Sequence, residues 1–136
     1  MPYFVEWNDY LSVNVKEIDA HHKMLIEIIN RLYQAMVDGV SDKVMKEVLV
    51  ELIDYTKYHF SAEEEIMEKY AYLQLEDHRG MHRDFVTKLA GICRKHQVDK
   101  SPIDEEMLDF LKNWLINHIL KTDRYLGIFL NDKGVR

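Results

Sequence analysis

Apolar side chains recur at alternating steps of three and four residues along four segments, which is the spacing of one helix face. In the first segment this face contains Ile18, Leu25 and Leu32, and Asp38-Gly39 after it is typical of a helix end. The segments cover residues 18–37, 42–69, 73–96 and 101–130. We therefore predict an all-α fold, an up-down-up-down antiparallel four-helix bundle, because short connections join neighbouring helices in that order.

Residues 1–17 show no such period and are predicted to form an extended N-terminal arm. The arm has apolar and aromatic side chains that can pack on the bundle, at Phe4, Val5, Trp7 and Tyr10. No repeat or linker interrupts the chain, so we expect one domain over residues 1–136, with the arm at 1–17 and the bundle at 18–130.

The charge and cysteine content narrow the class of protein. A net charge of −6, without any lysine- and arginine-rich run, argues against nucleic acid or an anionic membrane as a partner. The single cysteine, Cys93, excludes an internal disulfide, and the N-terminus resembles neither a signal peptide nor a membrane span. We therefore expect a cytoplasmic protein, and the charged outer faces of the helices favour a monomer.

Five histidines occupy positions in the apolar faces where a bundle would normally have leucine. They are His22, His59, His78, His82 and His118, with at least one on every helix. A single buried histidine is readily explained by a hydrogen bond to a backbone carbonyl. Five of them without partners would each cost roughly 1–3 kcal/mol, whereas a metal binds one nitrogen of each ring. The set therefore predicts a metal site in the core.

The spacing of the polar residues supports a shared site. His78 and His82 are four residues apart and so lie one turn apart on one face, and His59 and Glu63 have the same spacing. The two glutamates that follow, Glu64 and Glu65, are expected to turn away into solvent.

Asp123 is the exception among the candidate ligands. It follows His118 by five residues, which is about 140° around a regular helix. It can reach the same metal only if the helix bends or loosens near Lys121-Thr122. Five imidazoles and two carboxylates exceed the four ligands of zinc and suit two six-coordinate ions, with iron or manganese favoured by the nitrogen-rich, sulfur-free set.

The order of these ligands resembles the hemerythrin family, and the stand-alone bacterial members above all. The matching motifs are Asp19-x-x-His22, His59-Phe60-x-x-Glu63, His78-x3-His82-x-x-Phe85 and Trp114-Leu115-x-x-His118-Ile119-x3-Asp123. The resemblance implies two iron ions with an oxo or hydroxo bridge, one bound by His78, His82 and His118. It implies that His22 and His59 bind the other iron, which keeps an open position, and that Glu63 and Asp123 bridge the pair.

The resemblance also implies the function. Dioxygen would bind reversibly at the open iron and be held as hydroperoxide, for carriage, storage or delivery to an oxygen-consuming enzyme, so the protein would not itself be an enzyme. An apolar wall around the open position would be formed by Leu25, Phe60, Trp114, Leu115 and Ile119. Two alternatives stay open at this point: oxygen or redox sensing through a partner protein, and an enzyme that acts on peroxide or nitric oxide.

Two histidines remain outside this set. Family members commonly have glutamine where this chain has His21, but the spacing of the apolar face selects His22 as the ligand. His21 is expected at the edge of the bundle, where it either tunes the site or lies on the surface, and the surface is the favoured interpretation. His96 is expected at a frayed helix end.

Overall fold

The structure, a computed structural model, describes residues 4–136; the first three residues of the predicted arm lie outside the described residues. Its helices are a 3-10 turn at Asp9–Leu11, α1 at Lys16–Asp38, α2 at Asp42–Lys69, α3 at Leu75–Val98, α4 at Glu105–His118, a π-helical turn at Ile119–Asp123 and α5 at Arg124–Asp132. The segments from α4 to α5 follow one another without a break and together form the fourth helix of the bundle. The predicted four-helix bundle is confirmed.

Local chemistry at the helix ends explains where the helices stop and start. Gly39 ends α1 in the left-handed conformation, with φ +63°, and the hydroxyl of Ser41 accepts a hydrogen bond from the backbone N–H of Val44 at the start of α2. The fourth helix begins at Glu105, later than the predicted start at residue 101. The Asp104 carboxylate accepts the backbone N–H of Met107 at 2.9 Å, which places the N-cap at Asp104.

The arm is attached to α1 by polar contacts. The Asn30 side chain exchanges two hydrogen bonds of 2.8 Å with the backbone of Val5. Further along the arm, the carboxylate of Asp19 accepts a hydrogen bond from the Ser12 hydroxyl at 2.6 Å and another from the Val13 N–H at 2.9 Å. These contacts hold the arm along α1, from Asp19 in its first turn to Asn30 in its second half.

The apolar residues of the arm do not all pack as predicted. Phe4 stacks on Tyr33 with ring centroids 4.6 Å apart, and Val5 is buried. Tyr10, however, is 82% exposed, because it lies in the 3-10 turn and its side chain points away from the bundle. At the other end of the arm Val13 lies so close to α5 that a Cβ at Gly127 would collide with the Val13 carbonyl oxygen. A glycine is therefore needed at position 127 for this approach.

Candidate metal centre

The structure brings all seven predicted ligands together in the core. They are His22, His59, Glu63, His78, His82, His118 and Asp123, and each is at most 6% exposed. Their ligand atoms form two groups within which all atoms lie within 4.8 Å of one another. The groups are Glu63, His78, His82, His118 and Asp123, and His22, His59, Glu63 and Asp123. Both carboxylates thus belong to both groups.

Glu63 divides its two oxygen atoms between the groups. Its Oε1 lies 3.3 Å from Nε2 of His78 and 3.2 Å from Nε2 of His82. Its Oε2 lies 2.9 Å from Nε2 of His59 and 3.5 Å from Nε2 of His22. One oxygen of Glu63 therefore faces the group with His78, His82 and His118, called here the three-histidine group. The other oxygen faces His22 and His59, the two-histidine group.

Asp123 repeats this arrangement from the fourth helix. Its Oδ1 lies 3.0 Å from Nε2 of His78 and 3.2 Å from Nε2 of His118, and its Oδ2 lies 3.0 Å from Nε2 of His22. The π-helical turn makes this contact possible. There the N–H of Arg124 donates to the carbonyl of Ile119, five residues earlier, and the wider turn returns Asp123 to the side of His118. The predicted loosening of the helix near Lys121-Thr122 is confirmed.

The donor atoms of the cluster fit metal ions better than they fit one another. Within residues 4–136, hydrogen-bond partners are lacking for both ring nitrogens of His22 and His78, Nε2 of His82 and His118, and all four carboxylate oxygens of Glu63 and Asp123. Two ligands bound at about 2.1 Å to one ion, at right angles to each other, lie about 3.0 Å apart. The nitrogen–oxygen separations of 2.9–3.5 Å match this spacing.

Without a metal, the closeness of these groups shifts their protonation. Burial by itself would lower the pKa of His22 and His78, but the carboxylates of Asp123 and Glu63 outweigh it and raise each pKa to about 9. For the carboxylates, burial acts to raise the pKa, and the surrounding histidines outweigh it, so the pKa of Glu63 and of Asp123 falls below its usual value. In the metal-free protein the cluster therefore carries protons that a metal would displace.

His82 has a charged partner behind it, which the sequence analysis missed. Its Nδ1 lies 2.9 Å from Oε2 of Glu64, whose other oxygen accepts a hydrogen bond from Nε of Arg79 at 3.1 Å. The prediction that Glu64 turns into solvent is wrong, because its position on α2 faces the neighbouring α3. Glu65 is exposed, as predicted.

His59 also has a partner, and it is His21. The two Nδ1 atoms lie 2.8 Å apart, and His21 is only 8% exposed. The expectation that His21 lies on the surface is wrong, since α1 turns this residue toward α2 while it turns His22 into the centre. Burial, followed by the charge of His59, lowers the pKa of His21, which favours a neutral ring.

Two of the five side chains predicted for the apolar wall, Phe60 and Trp114, pack on histidines of the cluster. Phe60 stacks on His82 with ring centroids 3.7 Å apart, and its centroid lies 5.8 Å from that of His59. Trp114 stacks on His118 at 4.4 Å. Leu25, Leu115 and Ile119 are each at most 3% exposed. The aromatic members therefore lie against the three-histidine group, and Phe60 reaches both groups.

The remaining histidine, His96, lies beside the first turn of α2, far from the cluster near the other end of that helix. His96 belongs to the last turn of α3 but is only 4% exposed, and its Nε2 lies 3.6 Å from Oδ1 of Asp42. The prediction that His96 lies at a frayed helix end is therefore wrong, because its side chain is buried. About 21 residues of α2 separate Asp42 from Glu63, or about 30 Å along the helix, so His96 is no part of the cluster.

Comparisons with known proteins define the class of protein. A family model described as the hemerythrin HHE cation binding domain matches residues 13–127, and the chain therefore belongs to the hemerythrin family. It is 35% identical over 124 residues to a bacteriohemerythrin of Clostridium acetobutylicum, with coverage of 87% of this chain and 95% of that protein. It is 32% identical over 123 residues to a myohemerythrin of Theromyzon tessulatum, with coverage of 90% and 91%.

Solved structures agree with this assignment. A crystal structure of wild-type hemerythrin matches with a TM-score of 0.86 at 28% identity, over 91% of this chain and 95% of that chain. The predicted family and the all-α four-helix fold are thus confirmed. Within the part of the chain that the structure describes, no helix is long and apolar enough to cross a membrane.

Proposed function

We propose that this protein binds dioxygen reversibly at a non-haem di-iron centre. The observation that carries the proposal is the division of Glu63 and Asp123, each of which presents one oxygen to the three-histidine group and the other to the two-histidine group. A carboxylate shared in this way is suited to bridging two ions. Nitrogen and oxygen ligands without sulfur, in more than four positions, favour iron over zinc.

The number of donor atoms would make the two ions unequal. His78, His82 and His118 would supply three nitrogens to one ion, His22 and His59 would supply two to the other, and each carboxylate could offer one oxygen to each ion, in keeping with the two groups of ligand atoms. A shared oxo or hydroxo bridge from solvent would bring the first ion to six ligands and the second to five. The second ion would then keep the open position at which a small ligand enters.

When bound, the iron pair supplies the two electrons that reversible dioxygen binding requires. The protein contributes the surroundings. Phe60, Trp114 and Leu115, together with Leu25 and Ile119, would form an apolar wall that keeps water from the open position. The relatives are named as hemerythrins, and we propose carriage, storage or delivery of dioxygen to an oxygen-consuming enzyme rather than catalysis by this chain.

An anaerobic iron titration followed by exposure to air tests this proposal. We expect two ferrous ions per chain and a visible charge-transfer band that appears in air and disappears when oxygen is removed. Two bound zinc ions without an iron-dependent colour would refute it. Repeated turnover of peroxide or nitric oxide, faster than oxygen is released, would instead favour an enzyme.

A pair of histidine variants tests the location of the site. His82→Ala should lose most of the bound iron, because it removes one of three histidines from one ion. His96→Ala is the matched control, since it also removes a buried histidine from α3 but lies at the far end of the bundle. Full iron loading of His82→Ala would contradict the ligand assignment.

A further inference from the structure

The His59 ring connects the cluster with a second imidazole. Its Nε2 lies 2.9 Å from Oε2 of Glu63, while its Nδ1 lies 2.8 Å from Nδ1 of His21. One nitrogen of the ring therefore faces the cluster, and the other faces a buried residue on the neighbouring helix α1.

A nitrogen–nitrogen contact of 2.8 Å needs one proton between the two atoms. That proton belongs either to His59 or to His21. If His59 binds a metal through Nε2, its Nε2 offers a lone pair, and a neutral ring then carries its proton on Nδ1. Nδ1 of His21 must in that case accept the hydrogen bond, and the proton of His21 must be on Nε2.

We propose that His21 is a positioning residue for His59: its neutral ring accepts the Nδ1 proton of His59 and so presents Nε2 of His59 to the two-histidine ion. This inference rests on the proposed di-iron function. Two consecutive residues of α1 then serve the site: His22 is a ligand, and His21 supports the ligand His59.

The surroundings of His21 hold its ring in place. The ring centroid of Tyr58 lies 5.3 Å from that of His21, and Tyr55 meets it edge-on at 6.0 Å. The ring planes of His21 and His59 are nearly perpendicular, at 88°. His21 is thus bordered by aromatic rings, and within the described residues it forms no ion pair.

The two ends of the cluster differ in this support. Behind His82 lies the carboxylate of Glu64, which is ion-paired with Arg79, whereas behind His59 lies an uncharged imidazole. A carboxylate that accepts the Nδ1 proton makes a ligand histidine more electron-donating than a neutral acceptor does. With a neutral partner behind His59, the ion at the two-histidine end should therefore have a higher reduction potential than it would have with a carboxylate partner like that of His82.

Three substitutions at His21 separate these effects. His21→Leu removes the acceptor and should weaken cobalt(II) binding at one of two sites by about 10–100-fold. His21→Gln offers an amide oxygen and should restore binding to within a few-fold of wild type. His21→Glu should retain binding but lower the reduction potential of the iron-loaded protein and speed its autoxidation.

The proton itself can be located in the unaltered protein. In the zinc-loaded form, which is diamagnetic, proton–nitrogen correlation spectra should show a protonated Nδ1 on His59 and an unprotonated Nδ1 on His21. A proton on Nδ1 of His21 would overturn the proposal, and so would wild-type cobalt affinity in His21→Leu. Because the spectra use wild-type protein, they test the proposal even if the leucine variant fails to fold.

The same measurements distinguish failure of this inference from failure of the proposed function. If wild-type protein binds no metal pair, the di-iron proposal fails and the inference fails with it. If wild-type protein binds two ions and the leucine and glutamine variants bind them equally well, only the role of His21 is refuted.

Discussion

Filling the centre with metal should release protons, of which about two come from the histidines near pH 7. His22 and His78 have pKa values raised to about 9, because the carboxylates of Asp123 and Glu63 outweigh the effect of burial. Two pH units below its pKa, a histidine is about 99% protonated. A ligand nitrogen must offer its lone pair, so each of these rings loses a proton when the metal binds.

The sign of the pH dependence follows from this release. Each displaced proton changes the apparent binding constant about tenfold per pH unit, so the two histidine protons by themselves should strengthen complete loading about 100-fold between pH 7 and 8. Their effect ends above about pH 9, and a solvent bridge bound as hydroxide would add a further tenfold per pH unit. The metal-free protein should behave in the opposite way. Raised histidine pKa values stabilise it fully below about 6.5, and this contribution is lost as the pH rises through about 9.

The carboxylates limit the stability of the metal-free protein on the acid side. The pKa values of Glu63 and Asp123 are lowered, so their contribution is present above their ordinary values, 4.5 and 3.8, and is lost as the pH falls below them. We therefore expect the metal-free chain to be most stable at about pH 5–6.5, whereas metal loading is strongest in the alkaline range.

Isothermal titration of zinc(II) into metal-free protein, in buffers of different ionisation enthalpy at pH 7, measures the number of protons released. We expect at least two for wild type and for His96→Ala, one more where a bridging water binds as hydroxide, and about one fewer than wild type for His22→Ala. A release of less than half a proton by wild type would refute the reasoning. It would mean that the carboxylates do not hold extra protons on the histidines of the empty cluster.

Two further predictions concern residues around the ligands. Leu115 is 3% exposed, so Leu115→Ala should lower the free energy of unfolding by about 2–5 kcal/mol. By admitting water, the substitution should also speed autoxidation of the oxygenated protein. An unchanged autoxidation rate would show that Leu115 is not part of the apolar wall. Glu64→Ala removes both the hydrogen-bond acceptor and the charge behind His82 and should lower cobalt(II) affinity about 10–100-fold, whereas the exposed control Glu65→Ala should not. Equal affinities of these two variants would show that Glu64 does not support the ligand.

The helical period and the ligand spacing were readable from the sequence because both are local. His78 and His82, one turn apart, share a face in any α-helix, as do His59 and Glu63. Even the distortion required by Asp123 could be predicted, since a five-residue step cannot return to the same face of a regular helix. The kind of distortion, a π-helical turn, could not be predicted from that step alone.

The roles of His21 and Glu64 were missed because they depend on neighbouring helices. Both residues lie directly beside a residue of the cluster in the sequence, about 100° around their helices, and this direction can face either solvent or an adjacent helix. In this bundle it faces a helix in both cases: His21 on α1 meets His59 on α2, and Glu64 on α2 meets His82 on α3. A polar residue flanking a buried ligand was the available signal.

The sequence by itself determined the class of fold, the helices and six of the seven side chains that converge in the core, since these follow from period and residue type. Asp123 was assigned through the resemblance to the hemerythrin family. Only the tertiary structure decided which carboxylate oxygen faces which histidines, and which ligand ring has a charged or a neutral partner. Those features depend on the rotation and offset of one helix against another. Local spacing does not specify that rotation or offset, whereas packing of the whole bundle does.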